Sequence, residues 1–247
     1  MEERPNALLL KFPGTNCDFE TARALEASGF STTILPIAAF KKESLDSVKL
    51  VVLSGGFSYG DYVMAGRLAQ LETQRKVGDA LTRFRDDGGY MLGICNGFQI
   101  LTKLGLLPEG SLIDNTSGRF ICKWVHLKKN NDQNAFLNGL PETFELPIAH
   151  AEGRFVAPDG AAESYVENGL AALLYHDDVN GSSSQIAGLS DQSGRVLGLM
   201  PHPERFLWNS HHYDPNWQGD NSGWGAGYMI FKSIYNTIIK ELSLIHI

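Results

Sequence analysis

The chain has 247 residues, 43% hydrophobic and 20% charged, with a formal net charge of −7. That length can bury a sizeable core, as one large domain or two small ones, and the acidic balance argues against a nucleic-acid or anionic-membrane surface. No apolar run is long enough to span a bilayer, Met1-Glu2-Glu3-Arg4-Pro5 does not read as a signal peptide, and three cysteines without metal-ligand rhythm fit free thiols in a reducing cytoplasm.

Residues 7–12 form a β-type run that stops at Pro13-Gly14. Phe19, Ala22 and Leu25 then recur at helical spacing, with Asn16 or Asp18 as the expected N-cap and Gly29 as the stop. Residues 32–37 predict a second strand. Residues 50–53 predict a third, apolar throughout and so buried on both faces, ending in Ser54-Gly55-Gly56. A glycine-rich loop over 57–66 leads to a long amphipathic helix with Leu68, Leu71, Val77, Leu81 and Phe84, closed by Gly88-Gly89. Residues 90–94 are a fourth strand, run straight into a helix with Phe98, Leu101 and Leu104 at three-residue spacing. Strands alternating with helices through right-handed crossovers predict an open, mostly parallel α/β sheet covered on both faces. In such sheets ligands collect beyond the carboxyl ends of the strands, so Pro13-Gly14, Gly55-Gly56 and Cys95 are expected to share one crevice.

Past Leu107-Pro108 the pattern becomes β-rich. Residues 119–127 alternate, with Phe120, Cys122 and Trp124 on one side, and 144–150, 164–166, 185–189 and 195–200 are further strand candidates, antiparallel in part. No linker or repeat separates the halves, so residues 1–247 are read as a single domain whose second half adds antiparallel strands to the sheet. Residues 206–227 form an extended loop rich in Gly, Asn and Trp. A closing helix over 228–242 carries Ile230, Ile234, Ile238 and Leu242 on one face.

The chemistry centres on Gly93-Ile94-Cys95-Asn96-Gly97. A strand reversing into a helix brings backbones close, and glycines two residues to either side of the cysteine leave room for that. Average composition gives about 0.03 accidental G-x-C-x-G matches for three cysteines among 26 glycines in 247 residues. A thiol at a helix N-terminus faces free N–H groups and the positive end of the dipole, which favours thiolate. Cys95 is therefore read as a nucleophile, and the N–H of Asn96 as a donor to an oxyanion. Such a nucleophile needs a base and a group to orient it. His202 lies just past an apolar strand, and Pro203 biases it to extended backbone, where residues two apart share a side. His202 and Glu204 are thus expected side by side. An α/β-hydrolase would place the acid before the histidine, so that fold is disfavoured. Gly56, with Phe57, is expected to complete the oxyanion hole, and one such donor is worth about 2.7–4 kcal/mol in the transition state.

Other groups carry weaker readings. Cys122 reads as core, and Cys17 as a loop thiol more simply structural than functional. Tyr59, Asp61 and Tyr62 either shape the site or face a partner. His150 and Glu152 share the two-residue spacing but lack proline stiffening and are ranked as binding or interface residues. His211-His212 with Asp214 is thin support for a metal, and no metal site is expected. There is no G-x-x-x-x-G-K-[ST] and no G-x-G-x-x-G after the first strand, so an ATP requirement would be met on another chain.

Cys, His and Glu in this order on an open sheet resemble the class I (triad) glutamine amidotransferases, whose fold is flavodoxin-like. Phe12 to Asp18, Gly55 to Tyr62, Gly93 to Leu101, Ser117 to Phe120, His150 to Phe155 and Gly198 to Arg205 are similar to the purine-biosynthetic branch, over about residues 8–206. The resemblance implies that Cys95 forms a thioester with glutamine while His202, oriented by Glu204, moves protons. It implies that Gly55, Gln99 and the loop Ser117, Gly118, Arg119 and Phe120 hold the substrate. It further implies a cytoplasmic enzyme with no cofactor of its own. Its ammonia would go to a separate synthase subunit using ATP and Mg, together with a small accessory subunit. The segment 208–227, with Trp208, Trp217 and Trp224, departs from short stand-alone members and is a candidate partner surface or core packing. The alternatives are a glutaminase serving another synthase, a stand-alone cysteine amidohydrolase, and a non-catalytic regulatory subunit, the last opposed by an intact triad.

Overall fold

The computed structural model describes residues 4–12, 14–56, 77, 79–215, 217 and 223–245. The loop expected over 57–66, with Phe57, Tyr59, Asp61 and Tyr62, and the first turns of the helix after it lie outside the described residues.

Strands β1 (Asn6–Lys11), β2 (Ser31–Pro36), β3 (Val48–Leu53) and β4 (Tyr90–Ile94) alternate with helices α1 (Asp18–Ser28) and α2 (Ala80–Asp86), and α3 (Asn96–Lys103) follows β4. The second half supplies β5 (Ser111–Ile113), β6 (Ile121–Lys129), β7 (Thr143–His150), β8 (Arg154–Val156), α4 (Ala161–Glu167), β9 (Leu173–Tyr175), β10 (Ile186–Ser190), β11 (Val196–Leu199) and α5 (Ala226–Ile245). The main sheet has nine strands in the order β2-β1-β3-β4-β11-β10-β9-β6-β7, and β5 pairs with β8 in a small second sheet. The strands from β2 to β11 in that order are parallel, and β10, β9, β6 and β7 continue it antiparallel.

The inner parallel strands β1, β3, β4 and β11 bury apolar runs because both their faces are covered, whereas the edge strand β2 is partly exposed along its length. Their two-residue period divides the side chains between two cores. Ala7, Leu9, Leu50, Val52, Leu92 and Ile94 pack on one face with Leu25 of α1 and Phe231 and Ile234 of α5. Leu8, Leu10, Val51, Leu53 and Met91 pack on the other with Leu81 of α2 and Phe98 and Leu101 of α3. Each such side chain, fully buried, contributes about 1.5–3 kcal/mol. Helix α1 stops at Gly29, whose φ of 119° lets its N–H bond back to the carbonyls of Leu25 and Glu26. Its N-cap is Cys17, not Asn16 or Asp18. Asp18 is instead the first helical residue and a buried ion-pair partner of Lys11.

Two further sequence expectations change. Residues 164–166 belong to α4, not to a strand, because the segment opens after Gly160 with Ala161-Ala162 and turns Ala162 into the core. Cys122 is exposed, not core. In β6 the buried positions are Val125 and Leu127, and on the opposite side only Trp124 is covered, by Phe206, His212 and Tyr213 of the loop after β11. β9, β5 and β8, of three residues each, were not anticipated, being too short to display a period.

Candidate active site

Parallel pairing of β4 with β11 sets Gly93 beside Gly198 and Ile94 beside Leu199. The residues leaving both strands therefore emerge at the same edge. Cys95 is the first past β4, and its N–H donates to the carbonyl of Leu199 at 2.8 Å. Its backbone is strained, with φ 52° and ψ −108°, a conformation that costs a non-glycine residue on the order of 1–3 kcal/mol. The flanking glycines explain how so sharp a reversal fits. A Cβ on Gly97 would sit 1.9 Å from the carbonyl oxygen of Leu53, and one on Gly93 would sit 2.7 Å from that of Gly97.

His202 follows β11 by three residues, and its backbone, with φ −106° and ψ 89°, is out of the α region as Pro203 requires but falls just short of the fully extended form expected. Its N–H donates to the carbonyl of Pro147 at 2.8 Å, tying it to β7. Its Nδ1 lies 2.6 Å from Glu204 Oε1, with the two side chains 2% and 0% exposed. A buried carboxylate so placed fixes the ring and stabilises its protonated form. Burial alone would lower the pKa of His202. The Glu204 charge and hydrogen bond and the thiols of Cys17 and Cys95 outweigh it and hold that pKa well above the ordinary histidine value. Neither thiol makes a close bond to Nε2, which has no partner among the described residues. Catalytic hydrogen bonds of this kind often tighten only with substrate in place.

Gly55 lies between His202 and Cys95: a Cβ there would be 2.8 Å from His202 Cε1 and 3.3 Å from the Cβ of Cys95. Gly56, with φ 141°, bridges to Thr15, and the N–H of Cys17 donates to the Gly55 carbonyl at 3.3 Å. The loops after β1, β3 and β4 thus meet at one crevice, as the topology predicts. Phe57 lies outside the described residues. Asn96 is buried and donates to Gln99 Oε1 at 2.9 Å, and Gln99 Nε2 donates to the carbonyl of Glu152 at 2.7 Å.

The end of β7 and the turn after it form the facing wall. The carbonyl of Ala149 is 4.0 Å from Cys95 Sγ. Buried Asn115 donates through Nδ2 to the carbonyls of Arg119 and His150, both at 2.9 Å, and so pins the loop of Ser117, Gly118, Arg119 and Phe120 to this wall. Gly118 takes φ 62°, Ser117 Oγ accepts from the N–H of Arg119, and Phe120 is exposed.

Sequence reasoning undervalued Cys17. It is buried, and its sulfur lies within 4.8 Å of ligand atoms of both His202 and Glu204. Arg205 Nη2 is 3.2 Å from that sulfur, and its charge opposes a cation there. Tyr175 was also missed. Its hydroxyl is fully buried and has no partner among the described residues, and burial, with the nearby Cys95, raises its pKa. Residues so far apart in the chain leave no local pattern. The one clue was Cys17's place at the end of the first strand. Ser54 Oγ, Asn96 Oδ1, His150 Nε2, His202 Nε2 and Glu204 Oε2 are likewise buried and without a partner among the described residues. Buried polar atoms are nearly always paired, so those left open on Asn96, next to Cys95 in the chain, and on His202, across Gly55 from it, mark a place for a polar ligand.

Residues 4–237 match the family described as CobB/CobQ-like glutamine amidotransferase domain. The chain is 42% identical over 204 residues to a Thermotoga maritima protein named phosphoribosylformylglycinamidine synthase subunit PurQ, covering 82% of this chain and 88% of that one. It is 38% identical over 249 residues to a protein of the same name from Dehalococcoides mccartyi, covering 92% and 94%. A chain in the solved structure of PurLQS from Thermotoga maritima superposes with a TM-score of 0.78 at 37% identity, over 96% of this chain and 100% of that one. A nucleophile elbow on a mostly parallel sheet, a buried His–Glu pair across a glycine from it, and identity sustained over most of the chain lead to one assignment: the chain belongs to the glutamine amidotransferases and, within them, to the PurQ family.

Proposed function

We propose that this chain is the glutaminase subunit of phosphoribosylformylglycinamidine synthase. The observation that carries the reading is the placement of Cys95 and the His202–Glu204 pair on either side of Gly55. In the first step the Cys95 sulfur, its proton already held on His202, attacks the side-chain carbonyl carbon of glutamine. The tetrahedral oxyanion takes hydrogen bonds from the N–H groups of Asn96 and of Gly56 or Phe57. When the C–N bond breaks, His202 returns its proton to the nitrogen and ammonia leaves a glutamyl thioester. Water then attacks the thioester with His202 as base, releasing glutamate and the free thiol. Glu204 keeps the imidazole oriented through both halves.

Gly55, Gln99 and the loop of Ser117, Gly118, Arg119 and Phe120 are assigned to glutamine binding. Gln99 acts partly through Glu152, since both ends of its amide are engaged by the protein. Ammonia passes to a separate synthase subunit, which carries ATP and Mg and converts formylglycinamide ribonucleotide to its amidine in de novo purine biosynthesis. A small accessory subunit completes the complex. The similar Thermotoga maritima chain occurs in an assembly named PurLQS, which supports separate subunits. No described helix is long and apolar enough to cross a membrane, and the reading places the enzyme in the cytoplasm.

The test uses the chain together with its synthase. Cys95→Ala is expected to abolish synthesis from glutamine and to spare synthesis from ammonium salts. Loss of both in an assembled complex, or survival of both, contradicts the mechanism.

A further inference from the structure

His150 ends β7, and its imidazole is 4% exposed. The ring fits only because residue 153 is glycine, where a Cβ would lie 2.2 Å from Nδ1. Its tautomer follows from its neighbour. Asn115 Nδ2 donates to the two carbonyls of Arg119 and His150, so the atom 3.0 Å from His150 Nδ1 is Oδ1, which only accepts. Nδ1 therefore carries a proton. Burial first, and the charge of His202 second, push the pKa of His150 down to about 4, so at neutral pH the ring has no second proton. Nε2 is left as a bare lone pair, buried and without a partner among the described residues. On either side of it, the end of β7 carries the Ala149 carbonyl beside Cys95 Sγ, and the following turn the Glu152 carbonyl that holds Gln99.

We propose that His150 Nε2 is an acceptor subsite for an amine nitrogen in the Cys95 crevice, taking an N–H from the α-ammonium of glutamine or from the ammonia leaving the thioester. The proposal deepens the glutaminase reading and rests on it. The two sources share one chemistry, a nitrogen rich in N–H donors meeting an atom that can only accept. An acceptor-only group suits either one, because a second proton on the ring would repel the α-ammonium and His202 alike.

The test compares His150→Leu, which has no acceptor, with His150→Gln, which offers an amide oxygen, in the chain assembled with its synthase. His150→Leu is expected to lose about tenfold in kcat/KM for glutamate release, the value of one hydrogen bond. His150→Gln is expected to recover most of it, and both variants to keep ammonium-driven synthesis. A loss carried by KM assigns the contact to the α-ammonium, and one carried by kcat assigns it to departing ammonia. Unchanged kcat/KM in His150→Leu, or a folded His150→Gln as impaired as His150→Leu, overturns the proposal. If neither variant folds, the 15N resonance of His150 Nε2 decides, followed in Cys95→Ala as glutamine is added. Movement on saturation supports the acceptor role, and a resonance that stays fixed overturns it. Absence of glutamate release by the wild-type complex would instead sink the glutaminase reading itself.

Discussion

Gly55→Ala adds a single methyl group between Cys95 and His202, the proposed nucleophile and base. Gly55 does not occupy the left-handed region, so alanine meets no backbone penalty there and the effect is steric. The new carbon would start 2.8 Å from His202 Cε1 and 3.3 Å from Cys95 Cβ. Ordinary carbon–carbon contact is about 3.5–4.0 Å, so the imidazole must retreat by roughly 1 Å. It has little freedom to do so, held by Glu204 at one nitrogen and by the Pro147 carbonyl through its backbone. A misplacement of that size costs about 10²-fold in rate. The assay is glutamate release by the assembled complex at saturating glutamine, with ammonium-driven synthesis and thermal midpoint as controls. The expected outcome is a kcat lower by about two orders of magnitude with both controls near wild type. A Gly55→Ala enzyme with full kcat would show that His202 and Cys95 do not work across this gap.

Three further outcomes follow from the same geometry. Glu204→Gln removes a charge-assisted hydrogen bond worth about 1.5–3 kcal/mol, so kcat for glutamate release should fall by at least about tenfold while KM changes little. Gly97→Ala drives a methyl group into the Leu53 backbone, 1.9 Å from its oxygen, and should destabilise the fold by about 3 kcal/mol or more, read as a lowered denaturant midpoint. The third concerns pH: the folded-state pKa of His150, about 4, lies below the ordinary 6.5, so as pH falls the unfolded chain binds a proton that the folded chain refuses. Its contribution is complete above pH 6.5 and is lost toward pH 4, at up to about 1.4 kcal/mol per unit. Denaturant midpoints measured against pH should show that loss in the wild type and less of it in His150→Gln.

What could be read in advance was what the chain writes locally. β1, β3 and β4 show themselves as apolar runs bounded by glycine and proline, and the elbow as two glycines around a cysteine. The His202–Glu204 contact follows from a two-residue spacing stiffened by Pro203, and the structure places the pair at 2.6 Å. Long-range contacts were not legible. Cys17 stands beside His202, 185 residues later in sequence, only because β1 and β11 both send their loops to the same edge. Asn115 and His150 meet through a side-chain bond between a loop and the end of a strand. β9 has three residues, Leu173-Leu174-Tyr175, and takes its place from β6 and β10 on either side. Ser164-Tyr165-Val166 looked strand-like in isolation. The helical spacing that places it in α4 emerges only when Ala161 and Ala162 are counted with it.

The central claim is that Cys95, and not the other thiol beside His202, carries the glutamyl group. Acid quenching of the assembled complex during glutamine turnover, followed by peptide mass spectrometry, tests it directly. A glutamyl adduct confined to the peptide containing Cys95 is the predicted result. An adduct on the Cys17 peptide, or turnover with no adduct on Cys95, would contradict it.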